Sequence, residues 1–167
     1  TTLAATQPNI DSIGTDGDTL SILGDNLYMT NTTASKPLVA LTNQADDATG
    51  PVILFTNQRV DSSVQAGEDD DVLGNIQFKG YNDGTPALRN YGTIITRIGD
   101  ATTGQEAGDM FFNVASYDGV LTQGLRLNGD TNADGEVDVL IASGAASVTT
   151  VAGTLTMGST AALTNAG

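Results

Sequence analysis

Seven short apolar stretches, each closed off by Gly, Asn or Asp, most constrain what this chain can become. They cover residues 38–42, 52–57, 72–79, 91–98, 110–116, 122–127 and 137–142. All are shorter than an ordinary helix, and several alternate apolar and polar residues with the period of two that a strand requires. Alternation is plain in Asn75-Ile76-Gln77-Phe78-Lys79 and in Leu125-Arg126-Leu127. Between the stretches stand turn formers: Asp46-Asp47-Ala48-Thr49-Gly50, Asn82-Asp83-Gly84, Thr103-Gly104, Asp118-Gly119 and Asn128-Gly129-Asp130. Short strands at this spacing predict an all-β fold with a jelly-roll-like β-sandwich over residues 34–142. Pro51-Val52-Ile53-Leu54-Phe55 lacks alternation and reads as a strand buried on both faces, as at a subunit contact.

The residues that are missing exclude several chemistries. The chain has no Cys, so disulfides, thiolate metal sites and Cys nucleophiles are absent. It has no His, which removes the usual general base, the Ser-His-Asp triad and the common zinc site. Six Lys and Arg against twenty Asp and Glu give a net charge of -14, which disfavours nucleic acid and anionic bilayers as partners. No apolar run approaches the roughly 18 residues of a membrane helix. The chain opens on Thr1 with no signal-like stretch, and it reads as a segment of something longer or a trimmed product.

Residues 1–33 and 143–167 differ in texture from the middle. Small apolar residues stand singly or in pairs among Thr, Ser, Gly, Asp and Ala, too few to bury a core alone. Gly153-Thr154-Leu155-Thr156-Met157-Gly158 echoes the pattern of Gly17-Asp18-Thr19-Leu20-Ser21-Ile22. These ends are either loose termini or strand-turn repeats that gain order when chains wrap together. A second echo matches Pro37-Leu38-Val39-Ala40-Leu41-Thr42-Asn43-Gln44 to Pro51-Val52-Ile53-Leu54-Phe55-Thr56-Asn57-Gln58, and predicts a hairpin across the acidic turn between them.

Three groups of residues invite a functional reading. Asp130, Asn132, Asp134, Glu136 and Asp138 place oxygens at alternate positions around Gly135, like the first half of a calcium loop. The twelfth position is Ile141 rather than a bidentate acid, so the pattern also fits an Asx-rich hairpin turn. Glu68-Asp69-Asp70-Asp71 is either a solvated acidic loop or a divalent-ion ligand set. Tyr81 and Tyr117 adjoin turns, where an exposed ring can stack on a sugar or simply end a strand with its hydroxyl in water. A glycosidase would need paired carboxylates, and the glutamates are only Glu68, Glu106 and Glu136.

An ordered series of segments resembles a domain common in bacteriophage tail-fibre and other virion structural proteins, especially of marine phages. It runs through Pro37-Leu38-Val39-Ala40-Leu41, Asp47-Ala48-Thr49-Gly50-Pro51, Asp71-Val72-Leu73-Gly74-Asn75-Ile76-Gln77-Phe78-Lys79-Gly80 and Tyr91-Gly92-Thr93-Ile94. It continues through Gly104-Gln105-Glu106-Ala107-Gly108-Asp109-Met110-Phe111-Phe112 and Leu125-Arg126-Leu127. Thr6-Gln7-Pro8-Asn9-Ile10 and Gly153-Thr154-Leu155 are similar to fibre-shaft segments. The resemblance implies a homotrimeric, non-enzymatic virion component with shaft-like ends, in contact with other virion proteins and with a host surface glycan or protein. Three copies would carry three times the charge of -14, a load that salt or divalent cations must screen. A capsid or neck fibre, a glycan-depolymerising tailspike fragment and a calcium-dependent surface adhesin are the competing expectations. No segment resembles the self-cleaving chaperone domain that often ends such fibres.

Overall fold

The computed structural model describes residues 26–129, 131–132 and 134–154. The chain divides into two units, Thr1–Val52 and Ile53–Gly167. The expected shaft segments therefore fall largely outside the described residues.

The described part of the first unit has no strand and is exposed throughout. Its order comes from short side-chain turns. The Asn43 side chain accepts from Ala45 N at 2.9 Å and donates to Thr49 O at 2.9 Å. Asp47 Oδ1 accepts from Thr49 N at 2.9 Å and from Thr49 Oγ1 at 2.6 Å. The predicted acidic turn thus forms, but the flanking strands do not: residues 38–42 and 52–57 form no strand, and Asn57 Nδ2 instead donates to Val72 O at 3.0 Å. Val52, Ile53 and Leu54 are exposed, not buried on two faces. A two-stranded ribbon without a third strand or a covering layer is marginal in water, which is reason enough for a single chain to leave it open.

The second unit holds every strand of the described residues. A two-residue pair, β1 (Val60–Asp61) and β2 (Ser63–Val64), precedes a five-stranded antiparallel meander. Its strands are β3 (Val72–Tyr81), β4 (Leu88–Asp100), β5 (Ala107–Ala115), β6 (Leu121–Gly129) and β7 (Val137–Ile141), in that spatial order. Five of the seven predicted strands are therefore real, and the fold is all-β. Besides the short β1–β2 pair, the described residues give one large sheet and no second sheet of a sandwich, although Phe55 lies against Gly74 at its β3 edge.

Local chemistry closes each hairpin. Between β5 and β6, Gly119 sits at φ 78°, a region that costs an L side chain strain. Asp118 Oδ1 accepts from Ser116 Oγ at 2.7 Å and from Val120 N at 3.0 Å, fixing the same turn. Between β4 and β5, Asp100 accepts from Thr102 N and Glu106 from Gly104 N. Asn128 and Gly129, expected in a turn, lie inside β6, and the reversal comes after them.

Because side chains alternate across a strand, the cross-strand register assigns the residues of each face. One face carries Arg97, Asp109, Asn128 and Asp138 in one row, and Asn75, Ile95, Phe111, Arg126 and Leu140 in the next. The other carries Gly74, Thr96, Met110, Leu127 and Val139, then Ile76, Ile94, Phe112, Leu125 and Ile141. Only Thr93 and Asp109 are buried among the described residues, and no apolar residue is.

Candidate functional site

The most tightly built group among the described residues lies on the polar face of the sheet. Asp109 of β5 sits between Arg97 of β4 and Arg126 of β6. Its side chain is 4% exposed. Oδ2 accepts from Arg97 Nε at 3.2 Å and Nη2 at 3.1 Å. Oδ1 accepts from Arg126 Nε at 3.2 Å and Nη2 at 3.0 Å, and Arg126 Nη2 also reaches Oδ2 at 2.9 Å. Arg126 further donates to Asn128 Oδ1. Both guanidiniums lie over the Phe111 ring, Arg97 at 4.6 Å and Arg126 at 5.3 Å from its centroid. Such stacking suits the planar Arg cation. The arrangement saturates one carboxylate with two cations and leaves no free base or acid at its centre. Its work is to clamp three adjacent strands together.

The acidic run Glu68-Asp69-Asp70-Asp71 forms part of the same framework. All four of its carboxylates have partners, and Asp71 shares Arg59 with Glu68, at 3.7 Å. Glu68 pairs with Arg59 at 2.6 Å, and Asp70 pairs with Arg97 Nη1 at 2.7 Å. Asp69 accepts from Ala101 N at 2.8 Å, and Asp71 accepts from Glu68 N at 2.9 Å. The run thus ties the entry of β3 to the end of β4. The run is exposed as a solvated loop, with the Glu68 and Asp70 side chains 71% and 75% exposed, and its pairings brace the sheet edge without gathering a metal-ligand set among the described residues.

The calcium candidate divides across the β6–β7 connection. Asp130 lies outside the described residues. Asp134 and Glu136 are exposed in the loop, with Gly135 at φ 77°. Asp138 stands within β7, opposite Asn128, so its carboxylate belongs to the strand and not to the loop. Asn132, Asp134 and Glu136 line an open groove of about 770 Å³ together with Gln105 and Glu106 of the neighbouring β4–β5 connection. Among the described residues, no three acidic side chains converge in a way that would hold a metal ion. Gly135 at the reversal fits the hairpin-turn reading of this segment.

Several carboxylates are held below their ordinary pKa by local hydrogen bonds. Asp118 is lowered chiefly by the Ser116 hydroxyl and then by Val120 N–H. Asp100 is lowered by the Thr102 backbone and side chain. Asp47 is lowered by the Thr49 hydroxyl and backbone. Glu106 is lowered by its own backbone N–H and that of Gly104. These are turn caps, each stabilising the anion.

Tyr81 and Tyr117 are exposed, and the meander brings them to the same end of the sheet. The acidic connections lie at the opposite end. No local pattern signals the Asp109 cluster, because its members are separated along the chain and meet only through the strand register. No helix of the described residues is long and apolar enough to cross a membrane. A scan against protein-family models finds no match, and neither does a search of curated proteins.

Proposed function

We propose that this chain is a non-catalytic structural component of a bacteriophage fibre or appendage, assembled as a homotrimer. The observation that carries the reading is a five-stranded sheet without a single buried apolar side chain among the described residues. A sheet of this kind needs a second layer to shield it from water. In the assembly, sheets of sister copies supply that layer, and the sandwich expected from sequence is formed between chains. Residues 1–33 and 143–167 continue as shaft segments wound with their counterparts. The partners are other virion proteins along the axis and, at the exposed loop ends, a host surface glycan or protein. The absence of His and Cys and the inward pairing of Asp109 with two Arg side chains both suit a scaffold better than a catalyst.

Light scattering coupled to size exclusion tests this directly. The expected mass is three times the chain mass of 17.0 kDa, and a monomer at micromolar concentration refutes the trimer. Antibody labelling of intact particles then places the protein on a fibre, as against the capsid or neck. Incubation with host polysaccharide is expected to release no new reducing ends.

A further inference from the structure

The sheet's two faces differ so sharply in charge that one of them specifies its own occupant. We propose that the face built on Met110, Phe112, Leu125 and Leu127 is the contact surface between copies of this chain. This rests on the trimeric reading above and identifies which surface performs it.

The first argument is charge. On that face the three rows from Gly74, Ile76 and Phe78 across the sheet hold no Asp, Glu, Lys or Arg, and the register adds one cation, Arg89, opposite Gly80 at the far end. The opposite face holds Arg97, Asp109, Arg126 and Asp138. Each chain carries -14, so two copies repel wherever acidic surfaces approach. A sheet face whose central rows carry no charge lets them meet without bringing carboxylates together. A cationic partner would favour the acidic loops instead.

The second argument is area. Ile76 is 43% exposed, Phe78 55%, Val114 59%, Val137 61%, Val139 57% and Ile141 55%. At roughly 80–110 Å² apiece these six offer about 500 Å² per chain, before the half-buried centre is counted, against about 800 Å² per partner in a standard interface. The largest apolar patch of a soluble monomer is about 300–600 Å², and larger ones mark association sites, a size these six reach once the half-buried centre is added.

The third argument is the size gradient across the sheet. Five strands at about 4.8 Å spacing make a side of about 24 Å. Three such sides enclose a triangle whose centre lies about 7 Å from each sheet, a gap that long side chains of a middle strand can span. The corners leave little room. In the first row the residues from edge to edge are Gly74, Thr96, Met110, Leu127 and Val139. In the second they are Ile76, Ile94, Phe112, Leu125 and Ile141. Both rows place their longest or bulkiest side chains on β5 and β6 and shorter or branched ones at the edges. The third row departs at β3, where Phe78 leans toward Gly92.

The absence of Cys makes the test clean. Met110→Cys and, on the opposite face, Gln77→Cys are made separately in the full chain. Each is treated in its native state with a bis-maleimide whose span is about 9 Å, the separation expected of Cβ atoms around that triangle. Leu127→Asp is the third variant, and circular dichroism reports whether each variant keeps its strand signal. The expected result is a trimeric parent, dimeric bands from Met110→Cys reaching at most about two in three chains, and monomeric bands from Gln77→Cys. Leu127→Asp is expected to lower the trimer fraction at least tenfold at equal concentration. A trimeric parent that links through Gln77→Cys and not through Met110→Cys overturns this choice of face and leaves the trimer standing. A trimeric parent in which neither position links, or in which Leu127→Asp stays fully trimeric, also overturns it. A monomeric parent overturns both readings.

Discussion

Replacing Asp109 by Asn removes one charge and almost no volume from the most enclosed polar site of the sheet. The Asp109 side chain is 4% exposed, while those of Arg97 and Arg126 are 31% and 33% exposed. Breaking a fully buried ion pair by removing one partner costs about 3–5 kcal/mol, and an exposed pair contributes about 0–1 kcal/mol. With a buried acid and two partly wet cations, the expected loss is about 2–3 kcal/mol. Arg97 retains Asp70 at 2.7 Å, which offsets part of the damage on that side. Arg126 has no second carboxylate within ion-pair distance among the described residues, so the larger share of the loss falls there. For a unit of this size the loss translates to a fall in Tm of roughly 5–10 °C. Thermal melts of the parent and Asp109→Asn at matched concentration measure it. A double-mutant cycle with Arg126→Gln separates the pair from its surroundings, with a coupling of at least about 1 kcal/mol expected. Mass by light scattering must stay that of the parent, because the substitution lies on the face opposite the proposed contact between copies. A Tm unchanged within 1–2 °C, or strict additivity in the cycle, would falsify the clamp.

Further outcomes follow from the turns. Asp47, Asp100 and Asp118 lie below the ordinary 3.8 and Glu106 below 4.5, so their contribution is complete above those values and is lost as pH falls through the lower folded ones. Melts from pH 6 to pH 3 are expected to decline below about pH 4.5, with Asp118→Asn flattening part of the slope; an identical slope in that variant argues against its role. Gly119→Ala, at φ 78°, is expected to cost about 1 kcal/mol, whereas Gly84→Ala in open space stays near zero; equal effects in urea titrations would contradict the turn geometry. Chelator is expected to leave the Tm unchanged, since the described part of the Asp130–Asp138 segment gathers no ligand set, and a drop of several degrees would restore the calcium reading.

How much of this could be read from the chain depends on where the stabilising partner lies. The strands over residues 72–142 were legible because alternation and flanking Gly, Asn and Asp are local signals, and each strand meets its sequence neighbour. Register was not, since bulges at Phe78/Lys79, Ile98/Asp100 and Phe112/Asn113 shift the pairing by amounts no periodicity reveals. That is why Asp109 read as one more acid in an acidic chain instead of the hub between two arginines. Residues 38–42 and 52–57 carry strand-like composition, yet composition reports affinity for a pleated neighbour and not whether one is present in a lone chain. For that reason five of the seven strand-like stretches pair in the large sheet and these two do not.

The meander has a kinetic corollary. Each strand of the large sheet hydrogen-bonds only to the strands before and after it in the chain, through connections of five to seven residues. Zippering one hairpin onto the next needs no distant loop closure, so a nascent polypeptide can lay down its ladder early and fast. In the proposed trimer, subunit encounter is then the slow, second- or third-order event. Dilution should lengthen maturation of the complex while leaving the appearance of strand signal untouched.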